Sequence, residues 1–269
     1  MHHYLIDERT TKPQLKKHLD RIQSWIKTSR VAGEQYSLKS PQQIIEQIQK
    51  IISNSSSKPT IVVIGDDFSL DIAISALQED QRDITLGFIP LPPNSTSAAL
   101  LGFKDWRQAC NALLKAKRSK FRLIAVEDYT ILSECSLLPK ATPDQPIPVM
   151  DLVIDKKLSL HLPSSLMTIT NLSHESSQQI KPTPLMIESS VTSAAHIHLR
   201  DKKPLINVAG LRPAAALQPI LKFKATTSSV QTSTPLLLQG IVQLRTKFTI
   251  KPLSVPQQLI ADNKSGPLA

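Results

Sequence analysis

Two apolar runs, each ending in a polar turn, constrain the fold more than any other feature of the sequence. Residues 60–64 form one continuous apolar run, and residues 84–89 form a second. Runs of this kind are typical of parallel strands that are buried on both faces. Open α/β sheets place their ligand crevice where such strands end. The turns at 65–69 and 92–96 are therefore the first candidates for a binding site.

The rest of the first half alternates strands with helices. Ser40 supplies an N-cap, and Pro41 is favoured in the first helical turn. Such alternation predicts an α/β lobe with a parallel sheet and crossover helices. The predicted strands are 4–6, 60–64, 84–89 and 122–126, and the predicted helices are 12–28, 41–52, 70–77, 97–101 and 105–116.

The pattern changes in the second half, where apolar and polar residues alternate singly. Residues 158–162, 221–224 and 242–250 show this alternation, which predicts antiparallel strands with one buried face. Residues 155–157 are suited to a hairpin turn. We therefore predict an all-β sandwich as the C-terminal lobe, with domains at 1–145 and 146–269. The polar stretches 173–181 and 226–234 are expected to be loops.

The charge of the chain is uneven and favours an anionic partner. The net charge of +10 arises mainly after residue 150, where 13 Lys and Arg face 6 Asp and Glu. A basic lobe can bind anionic phospholipid or nucleic acid, or can simply be a solvated surface. The aromatic content of 4% disfavours nucleic acid, because few rings are available for base stacking.

The cellular setting is predicted from what the sequence lacks. Two cysteines give no disulfide framework, and no apolar run reaches the roughly 18 residues of a membrane-spanning helix. We expect a cytoplasmic protein, peripheral to the membrane if it binds lipid.

Residue for residue, the two turns resemble the signature loops of the diacylglycerol/sphingosine lipid kinase family. In that family the loops read G-G-D-G-T and P-L-G-T-G-N-D, where this chain has I-G-D-D-F at 64–68 and P-L-P-P-N-S-T at 90–96. The following A-A-L-L-G at 98–102 is similar to the A-R-A-L-G that separates lipid kinases from NAD kinases. Met150-Asp151-Leu152 resembles the I-D-L-G segment that enters the second domain of the family.

The resemblance implies a two-domain lipid-kinase and NAD-kinase-like architecture, and ATP-dependent phosphorylation of a lipid hydroxyl. It implies a magnesium-site role for Asp151, and the two adjacent carboxylates Asp66 and Asp67 could themselves mark a magnesium site. The family's C-terminal proton acceptor aligns with Lys264, and Asp262 is the nearest acid. The implied nucleotide-binding residues are Gly65, Asp66, Asp67, Phe68, Ser69, Asn94, Ser95 and Thr96.

Several family positions carry other residues here, and these changes disfavour catalysis. Ile64, Asp67 and Phe68 would crowd a phosphate, and the carboxylate of Asp67 would repel a triphosphate unless a metal bridged the two. Pro92 and Pro93 remove backbone donors from the second loop. Asp66 and Asp67 can equally form a polar turn that caps the next helix. We therefore expect weak or absent kinase activity. A ligand-binding or partner-binding pseudokinase and a basic nucleic-acid-associated protein are the alternatives.

Three further features of the sequence are weaker candidates for a functional role. His196 and His198 have the spacing of a metal-binding pair on one strand, but a surface or packing role is the simpler interpretation because no third ligand is near in sequence. Cys110 is expected to be a small core residue. Trp25 and Trp106 are expected to pack between helices.

Overall fold

The computed structural model describes residues 1–10, 13–55, 58–77, 84–139, 149–171, 185–191, 195–199, 206–208, 220–225, 227–253 and 257–262. The chain divides into two compact units. The first comprises Met1–Leu123, Tyr129–Ser133 and Val255–Ala269, and the second comprises Ile124–Asp128 and Glu134–Ser254. This division differs from the predicted single boundary near residue 145, because the end of the chain returns to the first unit.

The helices of the described residues all belong to the first unit. They are α1 (Pro13–Thr28), α2 (Pro41–Asn54), α3 (Asp67–Leu77), α4 (Thr96–Leu100) and α5 (Trp106–Lys115), with a 3-10 turn at Glu8–Thr10. The strands are β1 (His2–Asp7), β2 (Gly33–Leu38), β3 (Thr60–Gly65), β4 (Thr85–Pro90), β5 (Arg118–Phe121), β6 (Ile124–Val126), β7 (Tyr129–Ile131), β8 (Glu134–Pro139), β9 (Val149–Ile154), β10 (Leu158–Asn171), β11 (Leu185–Val191), β12 (Ala195–Leu199), β13 (Ile206–Val208), β14 (Ile220–Ala225), β15 (Ser228–Thr232), β16 (Leu236–Leu238), β17 (Val242–Gln243), β18 (Lys247–Pro252) and β19 (Gln257–Ile260).

The first unit is built on a largely parallel sheet. Among the described strands the order is β2-β1-β3-β4-β19-β5, and all neighbouring pairs are parallel except β19 with β5. Residues 61–64 of β3 are fully buried, as their unbroken apolar run predicts. The predicted parallel α/β arrangement is confirmed.

This sheet sets the position of the candidate site. Strands β1, β3, β4 and β19 run in the same direction, so their carboxyl ends meet at one edge. Asp7 ends β1, Asp66 follows β3, Leu91 follows β4, and Asp262 lies two residues beyond β19. Residues that are far apart in sequence are thereby gathered at the edge where α/β sheets hold ligands.

Helix starts follow local sequence signals. The Ser40 hydroxyl accepts a hydrogen bond from the Gln43 N–H at 3.2 Å, and Pro41 is the first residue of α2, both as predicted. Four isoleucines of α2 are buried as one stripe, namely Ile44, Ile48, Ile51 and Ile52. In α5 the N-cap is Asp105, which accepts from the Gln108 N–H at 2.9 Å.

The second unit is an antiparallel sheet, as predicted. Strands β17, β16, β8, β10, β9, β15, β18 and β6 follow one another in space, and each is antiparallel to its neighbours in this order. The hairpin between β9 and β10 turns at residues 155–157, where Asp155 and Lys156 have φ values of 48° and 57°. These left-handed residues suit the twist of a tight hairpin.

Several predicted boundaries were wrong in detail. The strand predicted at 122–126 is β6, which begins at Ile124, while the preceding β5 ends at Phe121. The strand predicted at 242–250 is divided into β17, which pairs with β16, and β18, which pairs with β15. The stretch 227–234, predicted to be loop, contains β15 with buried Val230. Residues 173–181 lie outside the described residues. In the described part of the chain, no helix is long and apolar enough to cross a membrane.

Candidate functional site

The first turn is closed by hydrogen bonds from Ser69. The Ser69 N–H donates to Asp66 Oδ1 at 2.8 Å, and the Ser69 hydroxyl lies 2.6 Å from the same oxygen. A β-carbon on Gly65 would lie 2.5 Å from the Ser69 hydroxyl, so only glycine allows this approach. The predicted group Gly65, Asp66 and Ser69 is thus brought together as a self-capped start of α3.

Asp7 and Arg9, which the sequence did not identify, complete this turn. Asp7 is buried, and its Oδ2 lies 2.5 Å from the Ser69 hydroxyl. Arg9 forms an ion pair with Asp7, with its Nε donating to Oδ1 at 2.9 Å. The Arg9 guanidinium also lies over the ring of buried Phe68, 5.3 Å from its centroid. The space beside the first turn is therefore occupied by side chains of the protein itself.

Asp67 joins the first turn to the second. Its carboxylate accepts hydrogen bonds from the Thr96 N–H at 2.9 Å, from the Thr96 hydroxyl at 2.8 Å and from the Ser97 N–H at 3.4 Å. The Ser95 hydroxyl also donates to it. Asp67 therefore caps the start of α4 from outside, whereas the polar-turn interpretation expected a cap on the following helix, α3.

Hydroxyl groups extend this contact into the interior. Ser133, which follows β7 in the first unit, lies 3.0 Å from the Thr96 hydroxyl and 2.9 Å from that of Ser97. Ser97 is fully buried, and Ser133 is nearly so. The hydrogen-bonding capacity of Ser95 and Thr96, predicted to face a nucleotide, is directed to Asp67 and to this hydroxyl cluster.

A cavity of about 600 Å³ lies beside the second turn. It is lined by residues 90–95 and 102–107 together with His18, Ala98 and Ala99, so Asn94 faces it. Trp106 lines this cavity, with the Arg107 guanidinium 4.8 Å from its ring centroid, and its predicted packing between helices stays a prediction. Pro92 and Pro93 contribute no backbone donors to the walls.

The remaining predicted residues are placed in different units. The Asp262 N–H donates to the Leu101 carbonyl at 3.0 Å, and Gly102 packs against its backbone, so Asp262 lies in the first unit beside the end of α4. Asp151 lies on β9 of the second unit, exposed, with its Oδ1 2.6 Å from His161 Nδ1. Lys264 lies outside the described residues.

Asp71, one turn after Asp67 on α3, is a buried acid that the sequence did not single out. Its Oδ1 accepts from the Leu132 N–H at 2.9 Å, while its Oδ2 has no hydrogen-bond partner among the described residues. Burial, with the nearby charges of Asp67 and Asp66, raises the pKa of this carboxyl well above its usual value. The Leu132 hydrogen bond acts in the opposite direction but is outweighed.

The weaker candidates are placed as follows. Cys110 is buried in α5, and burial raises the pKa of its thiol to about 12, so it is a core residue as predicted. His196 and His198 lie on β12. Among the residues whose side chains are described, no group of three His, Cys, Asp or Glu could hold a metal ion.

Three solved structures share this fold. A putative diacylglycerol kinase from Bacillus anthracis str. Sterne aligns over 98% of this chain and 98% of its own, with a TM-score of 0.65 and 13% identity. A second structure of a putative diacylglycerol kinase from that strain covers 97% of each chain, with a TM-score of 0.65 and 14% identity. A diacylglycerol kinase from the same strain covers 98% of this chain and 97% of its own, with a TM-score of 0.63 and 14% identity.

No protein-family model matches the sequence, and no curated protein matches it significantly. The three structural likenesses extend over nearly the whole chain. The predicted resemblance to diacylglycerol kinases is therefore confirmed for the fold, and identities of 13–14% carry no further conclusion about activity.

Proposed function

We propose that this chain is a diacylglycerol kinase-like protein in which ATP-dependent phosphorylation of a lipid hydroxyl is weak or absent. The observation that carries the proposal is that both loop carboxylates already accept hydrogen bonds from the chain itself. Asp66 is held by Ser69, and Asp67 is held by Ser95 and Thr96. Of the three acids nominated for magnesium, the two in the loops are engaged by donors of the same chain.

Magnesium does not fit these carboxylates as they are arranged. Mg²⁺ requires nearly octahedral oxygen ligands at about 2.0–2.1 Å. To offer such oxygens, Asp67 would have to give up its contacts with Thr96 and with the Ser95 hydroxyl. At Asp66 the hydrogen bonds among the described residues all reach Oδ1, so a cation there would find one carboxylate oxygen, Oδ2, where an octahedral site needs six ligands. Each donor released by Asp67 would need another partner, because a buried donor left without one costs about 1–3 kcal/mol of stability.

A triphosphate fits the second turn no better. Anions bind where free backbone N–H groups converge. Here the Thr96 and Ser97 N–H groups donate to Asp67, and the Ala98 N–H donates to the Ser95 hydroxyl. Pro92 and Pro93 have no N–H to offer. In effect the carboxylate of Asp67 takes the position in which a phosphate would be bound.

The other parts of the functional hypothesis stay predictions. A lipid ligand is suggested by the fold of the related kinases, and the basic residues after position 150 favour an anionic membrane surface. The cavity beside the second turn offers space for a ligand that is bound without phosphoryl transfer, which supports the pseudokinase alternative. A cytoplasmic location with peripheral membrane contact is part of this proposal.

The proposal is tested by the effect of nucleotide on thermal stability. A ligand at 100 times its Kd stabilises the folded state by about 2.7 kcal/mol, which gives a readily measured rise in Tm. We expect no rise in the Tm of the wild-type chain with millimolar ATP and magnesium. The Asp66→Asn variant should respond in the same way as the wild type.

A nucleotide-dependent rise in Tm that Asp66→Asn abolishes would overturn the proposal. It would mean that the loop contacts open to admit the nucleotide. The matched control is Asp20→Asn, an exposed change on α1 outside the two turns and the cavity lining, which should leave the response to nucleotide unchanged.

A further inference from the structure

A strip of positive charge lies at one edge of the sheet in the first unit. It runs from the end of α5 into the edge strand β5, over residues 114–120, and we call it the α5–β5 strip. Its four cations are all exposed, and none forms an ion pair with a described residue. No Asp or Glu occurs in the sequence from 106 to 126, so the charge is not neutralised by neighbours in sequence. The four cations are Lys115, Lys117, Arg118 and Lys120.

The local fold keeps these cations on an open edge. Ala116 has a φ of 48°, and this left-handed residue ends α5 and turns the chain into β5. In β5, Arg118 and Lys120 lie on one face and are exposed, while Phe121 on the other face is buried. Among the described strands, β5 pairs only with β19 and is the last strand of its sheet. The cations are thus presented at a sheet edge that no other described strand covers.

An apolar side chain accompanies the cations. Leu114, next to Lys115 at the end of α5, is 46% exposed, whereas the preceding Leu113 is buried against Gly87 of β4. Cations beside an exposed apolar group suit the surface of an anionic membrane. The cations attract the headgroups, and the apolar group enters the boundary with the acyl chains.

Other partners fit this strip less well. A second copy that paired its own β5 edge here would place like charges opposite one another, which is destabilising, and lysines on an edge strand oppose such pairing. Nucleic acid would contact the cations but would make no use of exposed Leu114. Residues 114–120 also contain no aromatic ring on which a base could stack. The charge and the exposed leucine together favour an anionic lipid surface.

We propose that the α5–β5 strip docks the first unit on an anionic phospholipid surface, with its four cations at the headgroups and Leu114 inserted between them. Clusters of about 4–8 Lys and Arg are typical of such surfaces. This inference rests on the peripheral membrane contact proposed above. It gives that contact a surface in the first unit, apart from the basic residues after position 150.

The test is sedimentation of the full chain with phosphatidylcholine vesicles that do or do not contain phosphatidylserine. We expect binding to the anionic vesicles alone, falling steeply from low to physiological salt. One Lys or Arg near an anionic surface contributes about fivefold in affinity, so Lys117→Gln/Arg118→Gln should bind about 25-fold more weakly. Leu114→Gln should weaken binding about tenfold, by the same factor at both salt concentrations, because that contact is not electrostatic.

The matched control is Lys27→Gln/Arg30→Gln, which removes one lysine and one arginine near the opposite edge of the sheet. Strand β2, which follows Arg30, lies five strand spacings of about 4.8 Å from β5, well beyond the Debye length of about 8 Å at physiological salt. This control should bind anionic vesicles within about twofold of the wild type. Lys115→Gln/Lys120→Gln is a second test variant with the same expected loss. The Tm of each variant without vesicles establishes that it is folded.

Three outcomes would overturn the proposal. One is a wild-type chain that binds no vesicles or binds neutral and anionic vesicles equally. Another is unchanged vesicle binding in both double variants of the strip, which would place the membrane contact elsewhere. The third is duplex DNA binding that both double variants weaken, together with no effect of Leu114→Gln on vesicle binding, which would assign the strip to nucleic acid. The proposed weakness of phosphoryl transfer is tested separately, by the response to nucleotide, and stands or falls independently of these results.

Discussion

The Asp7→Ala variant should have a free energy of unfolding about 3 kcal/mol lower than that of the wild type. Removing one partner of a buried ion pair costs about 3–5 kcal/mol, because the other charge is left uncompensated. The lower end applies here, since the Arg9 side chain is 21% exposed and water can partly solvate it. The Ser69 hydroxyl, which is fully buried, would lose the same partner.

Urea denaturation of three variants measures this effect. Asp7→Asn should lie between Asp7→Ala and the wild type, because its amide oxygen can still accept from Ser69 but carries no charge for Arg9. Asp20→Ala, an exposed change on α1, should stay within about 0.5 kcal/mol of the wild type. A loss below about 1 kcal/mol for Asp7→Ala would contradict the role assigned to this buried network.

Asp71 should make the protein less stable as the pH rises. Its pKa is raised in the folded state by burial and by the charges of Asp67 and Asp66, so the folded protein holds a proton that the unfolded chain releases. The stabilising contribution of that proton is fully present below the ordinary aspartate pKa. It is lost as the pH rises through the raised pKa of the folded state.

The Asp71→Asn variant isolates this contribution. The amide keeps an acceptor for the Leu132 N–H but cannot ionise. At a pH where wild-type Asp71 is ionised, its charged Oδ2 has no partner in the described part of the chain, which costs about 1–3 kcal/mol. We therefore expect Asp71→Asn to be more stable than the wild type by about this amount in alkaline buffer, and the difference to shrink near pH 5. Parallel urea curves at both pH values would measure it. A constant difference between the two proteins would show that Asp71 does not titrate in this way.

The sheet of the first unit could be predicted from sequence because its signals are local. The apolar runs that became β3 and β4, and the cap at Ser40, each depend on a few adjacent residues. The antiparallel class of the second unit followed from alternation at period two, which needs no knowledge of partners. The ends of the strands were predicted less accurately. The break between β5 and β6 near Arg122 depends on their partners, because β5 pairs with β19 and β6 pairs with β18.

The arrangement of the site could not be predicted in the same way. Ser69 reaches Asp7 across 62 positions, and Asp71 reaches Leu132 across 61. The adjacency of two carboxylates directed attention to Asp67 as a magnesium ligand, but its oxygens are used by Thr96, 29 positions away. Only the three-dimensional fold brings such pairs together, and a carboxylate in a sequence carries no sign of which donors it will meet.

Phosphoryl transfer by the purified wild-type chain tests the central claim most directly. The assay follows formation of phosphatidic acid from diacylglycerol in mixed micelles, with labelled ATP and magnesium. An active diacylglycerol kinase serves as the positive control. Because both loop carboxylates and the N–H groups of the second turn are engaged within the chain, we predict transfer no faster than in reactions without protein. Sustained turnover at typical enzymatic rates of about 1 s⁻¹ or more, abolished in Asp66→Asn, would contradict that claim.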